Sequence, residues 1–408
     1  MKMNAAAKVI FFIQLVAVYA STSILSNALY SLSIGCLAAS LIYLLWKDGL
    51  KTIRWPDKQF SWMYFPFFAL IIMASILVGH HDSLSQALDF ARWSLIPFAL
   101  FYFVMQRRFS YSSVIIGIMA GSWTLDGSAL YQWLFSAGTM RVQGYLSHPN
   151  FLAEMIEMNI PFLLVYALAD QQNKRWRTAA GITAFTSCIV LALTASRGGL
   201  LGLCLGGIIW CIVIFRRFSQ QKRQVLFQSL VALSLILAVI AGIFFSAFQG
   251  NRGAVRSYDH ERILLWESSY EMWKDHKLVG IGLRHWPKEY VTHYISPKAR
   301  ERNLLQPHNI YAYWFSQTGT IGGLGFLLFT VGMFVYLCRK VRENPHDIFM
   351  DAVLWAFLAI MIHSLVDSGI ANKFVMRLYS AYLGIGLASS VYHKTLLPDE
   401  GKSAAKGD

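Results

Sequence analysis

Single arginines and histidines stand where hydrophobic stretches end, and they are the residues of this chain best placed to do chemistry. Arg197 is followed at one such boundary by two glycines, which predict a tight turn and close backbone approach. His308 lies beside Asn309 at another boundary. Arg262 lies between them in a long polar segment, 249–309. Guanidinium groups can clamp a diphosphate bidentately, and imidazole can take a proton near neutral pH. These residue types predict chemistry on a lipid-borne phosphorylated compound.

Each arginine also has a structural interpretation that the sequence leaves open. Arg197 could snorkel to the membrane interface, and Arg262 could form a surface ion pair with a nearby carboxylate such as Glu261. Arg141 lies in a polar connection that could be a simple turn. The functional interpretation is favoured for Arg197, because the positive-inside rule disfavours a positive charge on its predicted face of the membrane.

The elements that must position these residues are membrane helices. The chain has 408 residues, of which 56% are hydrophobic and 14% charged, whereas soluble domains carry about 25% charged residues. Many apolar stretches approach the ~20 residues that cross a hydrocarbon core. Strands of a membrane barrel would be shorter and would alternate. The composition therefore predicts an all-α polytopic membrane protein.

Twelve apolar stretches predict twelve membrane-spanning helices, near 9–25, 28–46, 60–79, 87–106, 114–135, 151–169, 181–196, 200–215, 225–248, 310–338, 348–370 and 374–393. Basic clusters follow the even-numbered spans, so we expect both termini in the cytoplasm. The predicted domains are spans one to nine (1–248), one large periplasmic segment with interfacial helices (249–309), spans ten to twelve (310–393) and a cytoplasmic tail (394–408).

The charged residues and cysteines give no sign of nucleic acid, metal or cofactor. The formal charge of +14 arises from short basic clusters between spans, which fits control of topology better than a nucleic-acid surface. The five cysteines lie in apolar stretches without metal-ligand spacing, and neither a P-loop nor a dinucleotide-binding glycine motif occurs. We predict no nucleic-acid partner, no cofactor and no metal.

The long polar segment has a local pattern of its own. His260–Lys274 predicts a helix at the membrane interface, because its large apolar residues recur with a helical period. Gly280-Ile281-Gly282 should end the helical pattern. Glycines within the eighth and tenth spans, such as Gly202 and Gly319, predict close packing between helices.

Several ionisable residues in apolar stretches receive no role from the sequence. Glu154 and Glu157 lie one turn apart and could neutralise Arg141. Burying any of the remaining ionisable residues in lipid costs free energy unless the residue has a partner. A buried ion pair would explain these residues as well as a function would. They are Asp126, His363, Asp367 and, in the last loop, Arg377.

Four motifs in register resemble the O-antigen ligase/polymerase family of bacterial inner-membrane glycosyltransferases. They are Arg141-x-x-Gly144…Pro149-Asn150, Ala195-Ser196-Arg197-Gly198-Gly199-Leu200-Leu201-Gly202, Arg262…Trp266…Gly280-Ile281-Gly282 and Pro307-His308-Asn309-x-Tyr311…Gly319-x-x-Gly322. The resemblance spans about 141–325, and the remaining spans fit the family's topology. The chain is most like an O-antigen ligase.

The resemblance implies a GT-C-like, metal-independent, inverting transferase that faces the periplasm from the bacterial inner membrane. Its partners would be a glycan on undecaprenyl diphosphate, a lipid A–core acceptor and membrane lipids. Carried over by motif, Arg197 and Arg262 would bind the diphosphate, and His308 would help to activate the acceptor hydroxyl. Arg141 and Asn309 would be further substrate-binding residues.

Two other functions remain open. A polymerase of the same family would join repeat units to each other, but the short connection 136–150 favours a ligase, because polymerases often have two substantial periplasmic loops. A transporter for lipid-linked oligosaccharides would also suit twelve spans. Transporters commonly contain internal repeats, and the hydropathy of this chain shows no related halves.

Overall fold

The computed structural model describes residues 5–50, 53–136, 141–169, 172–215, 242 and 252–396, with backbone alone for 252–259 and 393–396. Within these ranges all regular elements are helical. The helices are α1 (Ala5–Ser23), α2 (Asn27–Asp48), α3 (Lys58–Val78), α4 (His81–Met105), α5 (Tyr111–Phe135), α6 (Pro149–Leu168), α7 (Lys174–Leu193), α8 (Arg197–Ile214), α9 (Arg252–Asp275), α10 (Trp286–Glu289), α11 (Ile310–Glu343), α12 (Ile348–His363) and α13 (Lys373–Leu396). A π turn (Tyr290–Tyr294) and a 3-10 turn (Gly369–Ala371) complete the set.

Ten of the described helices are long and apolar enough to cross a membrane, namely α1–α8, α11 and α13. This confirms the prediction of an all-α polytopic membrane protein. The predicted span 225–248 lies outside the described residues, apart from residue 242. The predicted span 348–370 was wrong at its end, because α12 stops at His363. There the carbonyl of Ser364 accepts a hydrogen bond from Ile310 N (3.0 Å), so the chain turns to meet the start of α11.

Three helices begin at one end of the bundle, each with its own N-cap. The Ser196 hydroxyl caps α8 by accepting from Gly199 N at 3.3 Å. Asn309 caps α11 through its Oδ1, and the His148 ring caps α6, where proline occupies the first helical position. Capping side chains satisfy backbone N–H groups that a helix start leaves unpaired. We call this end of the bundle, with its connections, the cap end.

The predicted close packing of the α8 glycines is confirmed. A Cβ added at Gly202 would lie 2.4 Å from the carbonyl oxygen of Ala359 in α12, and one at Gly207 would lie 2.8 Å from the Trp355 ring. In a bilayer, helices associate through such close approach of small residues. The contact fixes α8 against α12, which also packs against α6.

The segment between α9 and α11 is fastened to the bundle through a break in α11. Gly319 is non-helical, with φ 61° and ψ −161°, so helical hydrogen bonding is interrupted there. The preceding segment supplies replacements: Lys277 O accepts from Thr320 N at 2.7 Å, and Gln317 O accepts from Gly282 N at 3.0 Å. Buried backbone groups in a membrane protein must find such partners. Gly319 therefore forms a junction with the backbone at Leu278 and Val279, whereas the sequence predicted that it packs against another helix.

The polar segment has a small apolar core of its own. Its buried members come from α9, from the glycine segment and from the following turn: Leu265, Met272, Ile281, Trp286 and Tyr290. The predicted helix at His260–Lys274 is confirmed within α9. The predicted interruption is confirmed too, since Gly280 and Gly282 have φ of 69° and 92°. This packing holds one face of α9 against the rest of the polar segment.

Replacing Gly319 with alanine should destabilise the folded protein by about 1–3 kcal/mol. Its positive φ disfavours a side chain, and the added Cβ would lie 2.3 Å from the carbonyl oxygen of Leu278. Thermal unfolding in detergent should show a lower midpoint. Gly35→Ala is the matched control, because nothing lies within 4 Å of its added Cβ. Equal midpoints for the two variants would contradict the structural need for glycine at 319.

Candidate active site

A cavity of about 430 Å³ opens at the cap end, where the starts of α6, α8 and α11 meet α9 and the end of α12. We call it the arginine cavity. Its polar lining is Arg141, His148, Asn150, Ser196, Arg197, Glu261, Arg262, Glu301, His308 and His363. A concave site with convergent charged groups is the usual form of a ligand or active site.

Two of the predicted arginines approach this cavity from different helices. Arg197 is exposed at the first position of α8, where unpaired backbone N–H groups and the helix dipole also favour an anion. Arg262 is half-buried on α9. Glu261 is engaged elsewhere, because its carboxylate accepts from Arg300 N at 3.0 Å. The two guanidinium groups line one cavity, as a shared anionic ligand would require.

Gly198 and Gly199 lie inside α8, so the interpretation of this pair as a tight turn was wrong. The chain reverses before α8 begins, at Ala195, whose φ is 50°. The two glycines permit close approach: a Cβ at Gly198 would lie 2.4 Å from His363 Cδ2, and one at Gly199 would lie 3.2 Å from Glu157 Oε2. Their small size brings the first turn of α8, and with it Arg197, against α6 and α12.

His308 lines the same cavity and is paired with Asp367. Its Nδ1 lies 3.2 Å from Asp367 Oδ1, and the imidazole remains 22% exposed. Asp367 is buried and also accepts from Ser368 N at 2.7 Å and from Asn150 Nδ2. A carboxylate only accepts when ionised, so His308 donates from Nδ1 and keeps Nε2 for the cavity.

The pKa of Asp367 lies well below its usual range. Burial acts to raise this pKa, but the hydrogen bond from His308, the electrostatic interaction with the His308 and His363 side chains, and the N–H of Ser368 outweigh that effect. Asp367 is therefore ionised throughout the neutral range. A fixed negative charge behind an imidazole stabilises the imidazolium that forms when the ring takes a proton.

A second histidine, His363, lies next to Ser196, the N-cap residue of α8. His363 Nδ1 lies 3.1 Å from both carboxylate oxygens of Glu157, and its Nε2 lies 3.3 Å from Ser196 Oγ. Glu157 thus pairs with His363, so the suggestion that it neutralises Arg141 was wrong. The buried pair links α6, α8 and α12 at the base of the arginine cavity.

The other two predicted substrate-binding residues, Arg141 and Asn309, make hydrogen bonds within the protein. Arg141 lines the cavity, and it also ties two walls together by donating to Thr194 O (2.8 Å) and Asn150 Oδ1 (2.9 Å). Asn309 caps α11 and donates from Nδ2 to Leu365 O at 2.9 Å, so its side chain serves the helix junction. Substrate contact by either residue stays a prediction.

His148 lines the arginine cavity, and its pKa reflects the charged groups around it. Burial is the main cause that lowers the pKa of His148, and electrostatic interactions with Arg141, His308 and Arg262 lower it further. The Asp367 carboxylate acts in the opposite direction. The lining contains three arginines against the carboxylates of Glu261 and Glu301, so its formal charge is positive, which suits an anionic ligand such as a diphosphate.

Glu154, His363 and Asp367 form the group most suited to hold a cation among the described residues. Their ligand atoms lie within 4.8 Å of one another. His363 is already paired with Glu157, and Asp367 with His308, while both oxygens of Glu154 are buried without a hydrogen-bond partner in the described chain. The expected absence of a metal stays a prediction.

Two other residues without an assigned role lie apart from the arginine cavity. Asp126 accepts from Ser187 Oγ at 2.6 Å inside the bundle. The Arg377 guanidinium lies 4.4 Å from the centre of the Tyr30 ring and donates to Asn27 at 3.3 Å. Both arrangements fit structural roles.

Sequence reasoning missed the partners that organise the site, above all Asp367 for His308, Glu157 for His363 and Asn150 for Arg141. Asp367 and His308 are 59 positions apart, and Asn150 and Asp367 are 217 apart. One feature of the sequence could have indicated these pairs, because the residues that form them are polar and lie in or next to helices at the cap end. Polar residues there are costly unless they pair with one another.

Comparison with known protein families adds to this geometry. Residues 182–327 match the family model described as O-antigen ligase. This match supports the resemblance of the chain to the O-antigen ligase/polymerase family. The matched O-antigen ligase region contains Arg197, Arg262 and His308, while Arg141 and Asp367 lie outside it. No curated protein matches the chain.

An Asp367→Asn variant should lose stability in a pH-dependent way. A carboxylate whose pKa is lowered by folding contributes stability that is complete above its unfolded pKa of about 3.9 and is lost as pH falls towards its folded pKa. The deficit in unfolding midpoint against the wild type should be full at pH 5–7 and should shrink below about pH 4. A deficit that stays constant down to pH 3 would contradict an ionised Asp367 paired with His308.

Proposed function

We propose that this protein is an O-antigen ligase that transfers a glycan from undecaprenyl diphosphate to the lipid A–core oligosaccharide. The proposal depends above all on one observation: Arg197, Arg262 and His308, which is paired with the buried Asp367, line a single cavity at the cap end. Cationic groups for a leaving diphosphate and a base for an attacking hydroxyl are the two requirements of such a transfer.

The arginines would stabilise the leaving group. When the bond between the anomeric carbon and the diphosphate breaks, its electron pair stays on a phosphate oxygen. Metal ions neutralise this charge in many transferases. Two guanidinium forks beside the start of α8 supply fixed positive charge without a metal, because arginine remains protonated at neutral pH. The energy of the lipid-diphosphate bond drives the transfer, so no nucleotide is required.

His308 would act on the acceptor. The acceptor hydroxyl oxygen attacks the anomeric carbon from the side opposite the diphosphate, and its proton passes to Nε2 of His308. Asp367 holds the ring through Nδ1 and stabilises the resulting imidazolium. One carbon–oxygen bond forms and one breaks, so the configuration at the anomeric carbon is inverted.

We place the cap end in the periplasm and the chain in the bacterial inner membrane. The opposite end of the described bundle carries the clustered basic residues that topology rules assign to the cytoplasm. They include Lys47, Arg54, Arg107, Arg108, Arg339, Lys340 and Arg342. A periplasmic cavity would meet donors and acceptors that are both anchored in the same membrane.

One assay separates the candidate activities. Purified protein is mixed with a glycan on undecaprenyl diphosphate and with rough lipopolysaccharide, in EDTA and without nucleotide. A ladder shift of the lipopolysaccharide on a gel supports the ligase. Elongation of the donor alone would indicate a polymerase instead. Absence of both products would refute glycan transfer and favour transport, to be measured with donor-loaded vesicles.

Arg197→Lys should reduce turnover roughly 10²–10³-fold, the usual effect of losing one donor to a developing negative charge. Lysine keeps the charge but loses the bidentate fork. Steady-state kinetics with donor and acceptor measure the effect. Arg92→Lys is the control, because Arg92 is an exposed arginine of the same end and pairs with Asp89. Equal turnover of the two variants would indicate that Arg197 only anchors the interface.

His308→Ala should lower kcat about 10²–10⁴-fold, the typical contribution of a general base. The donor's Kd should change little, because the arginines remain. Single-turnover kinetics together with donor binding separate these two quantities. The control is His81→Ala, an exposed histidine at the start of α4. Near-normal turnover of His308→Ala would exclude His308 as the base.

A further inference from the structure

A second cavity, of about 310 Å³, shares walls with the arginine cavity. Adjacent residues of the same segments face the two spaces: Asn150 lines the arginine cavity and Phe151 the second, and His308 lines the first while Gln306 lines the second. Gln306 also lies 3.5 Å from Asp367 through its Nε2. A ligand in the second cavity would therefore lie beside the pair that we assign to the acceptor hydroxyl.

The lining of the second cavity differs chemically from that of the first. Four carboxamide side chains face it, together with one arginine and two aromatic rings. They are Gln86, Gln306, Gln317, Asn372, Arg284, Phe151 and Tyr313. Carboxamides offer N–H donors and carbonyl acceptors without net charge, which suits the hydroxyl groups of a sugar. Aromatic rings add an apolar surface.

Three of these carboxamides have a fixed orientation. The Gln317 oxygen accepts from Arg284 N at 3.0 Å, and the Asn372 oxygen accepts from Phe374 N at 2.9 Å. The Gln86 oxygen accepts from the guanidinium Nε of Arg284. These partners can only donate, so each assignment of oxygen and nitrogen is determined by chemistry. The NH₂ groups of Gln86 and Asn372 are left as donors for a ligand.

Arg284 is held in place but is not a second phosphate clamp. Its backbone has φ 69°, a conformation that is unfavourable for a residue with a side chain and that is concentrated at functional sites. Its guanidinium Nη2 lies 3.5 Å from Asp89 Oδ2, and the same carboxylate pairs with Arg92, so Arg284 belongs to an ion-pair network outside the arginine cavity. With four carboxamides in its lining, the second cavity favours a hydroxyl-rich ligand, in contrast to the arginine cavity.

We propose that the second cavity binds the sugar that supplies the attacking hydroxyl, with Gln86 and Asn372 as its specificity-determining donors. This inference rests on the proposed function. Inversion places the attacking oxygen opposite the departing diphosphate, so acceptor and arginines must lie on different sides of the anomeric carbon. The second cavity adjoins the arginine cavity where Gln306 and His308 lie close together along the chain, and neither Arg197 nor Arg262 lines it. A sugar bound there would extend its attacking hydroxyl past Gln306 to Nε2 of His308. The other hydroxyl-rich candidate, the donor's own glycan, is distinguished by experiment.

The test uses the full-length protein, rough lipopolysaccharide and a glycan on undecaprenyl diphosphate. Gln86→Glu and Asn372→Asp keep the oxygen that holds Arg284 or Phe374 and exchange the NH₂ group for a second carboxylate oxygen, which accepts hydrogen bonds but cannot donate them. Each should raise KM for rough lipopolysaccharide roughly 3–10-fold, the effect of one lost hydrogen bond. KM for the donor, donor Kd and the unfolding midpoint should stay at wild-type values.

Asn27→Ala provides the control, because Asn27 is an exposed amide of the same end that lines neither of the two cavities. An unchanged acceptor KM in both variants overturns the inference, as does a raised donor KM, which would assign the cavity to the donor glycan. An equal rise of both KM values with a lower midpoint would show a structural role and also overturn it. A wild-type protein that transfers nothing to rough lipopolysaccharide would refute the proposed function itself.

Discussion

The buried carboxylate of Asp367 is the interaction on which the arrangement of this site depends. It is reached by the side chains of Asn150 and His308 and by the backbone of Ser368, so it joins the starts of α6 and α11 to the turn after α12. An unpaired charge at such a position would be costly, whereas several hydrogen bonds make it stable. The orientation of His308 and the position of three helix ends therefore follow from one charge.

The arginine cavity depends on a second constraint, which is the close approach of α8 to α6 and α12. Gly198, Gly199 and Gly202 leave no room for side chains at these contacts. The approach brings the start of α8 next to the buried His363–Glu157 pair, while the charged head of Arg197 remains exposed. The glycines of α8 thus determine the position of Arg197. The polar site depends in this way on close packing between apolar helices.

The sequence predicted the elements better than the contacts between them. Apolar runs predicted the spans because the bilayer imposes length and polarity on each helix separately. Boundary charges predicted that Arg197, Arg262 and His308 matter, and the structure brings all three to one cavity. The Asp367 pairing depends on how distant segments fold together, so no local pattern could reveal it. Similarly, the glycines after Arg197 looked like a turn because spacing alone cannot distinguish a turn from a close helix contact.

Strained backbone conformations are concentrated around the two cavities. Within the described residues, positive φ occurs at four residues other than glycine, namely Ile24, Ala195, Arg284 and His308. Ala195 and His308 line the arginine cavity, and Arg284 lines the second. Such conformations cost on the order of 1–3 kcal/mol each and persist only where surrounding contacts enforce them. Here the enforcing contacts are the Ser196 cap, the Asp367 bond and the Gln317 oxygen. These contacts hold Ala195 just before Arg197 and hold His308 on Asp367. Under the proposed function, the groups at the site would therefore need little rearrangement as charge develops, which is the condition under which fixed dipoles and charges favour a transition state most.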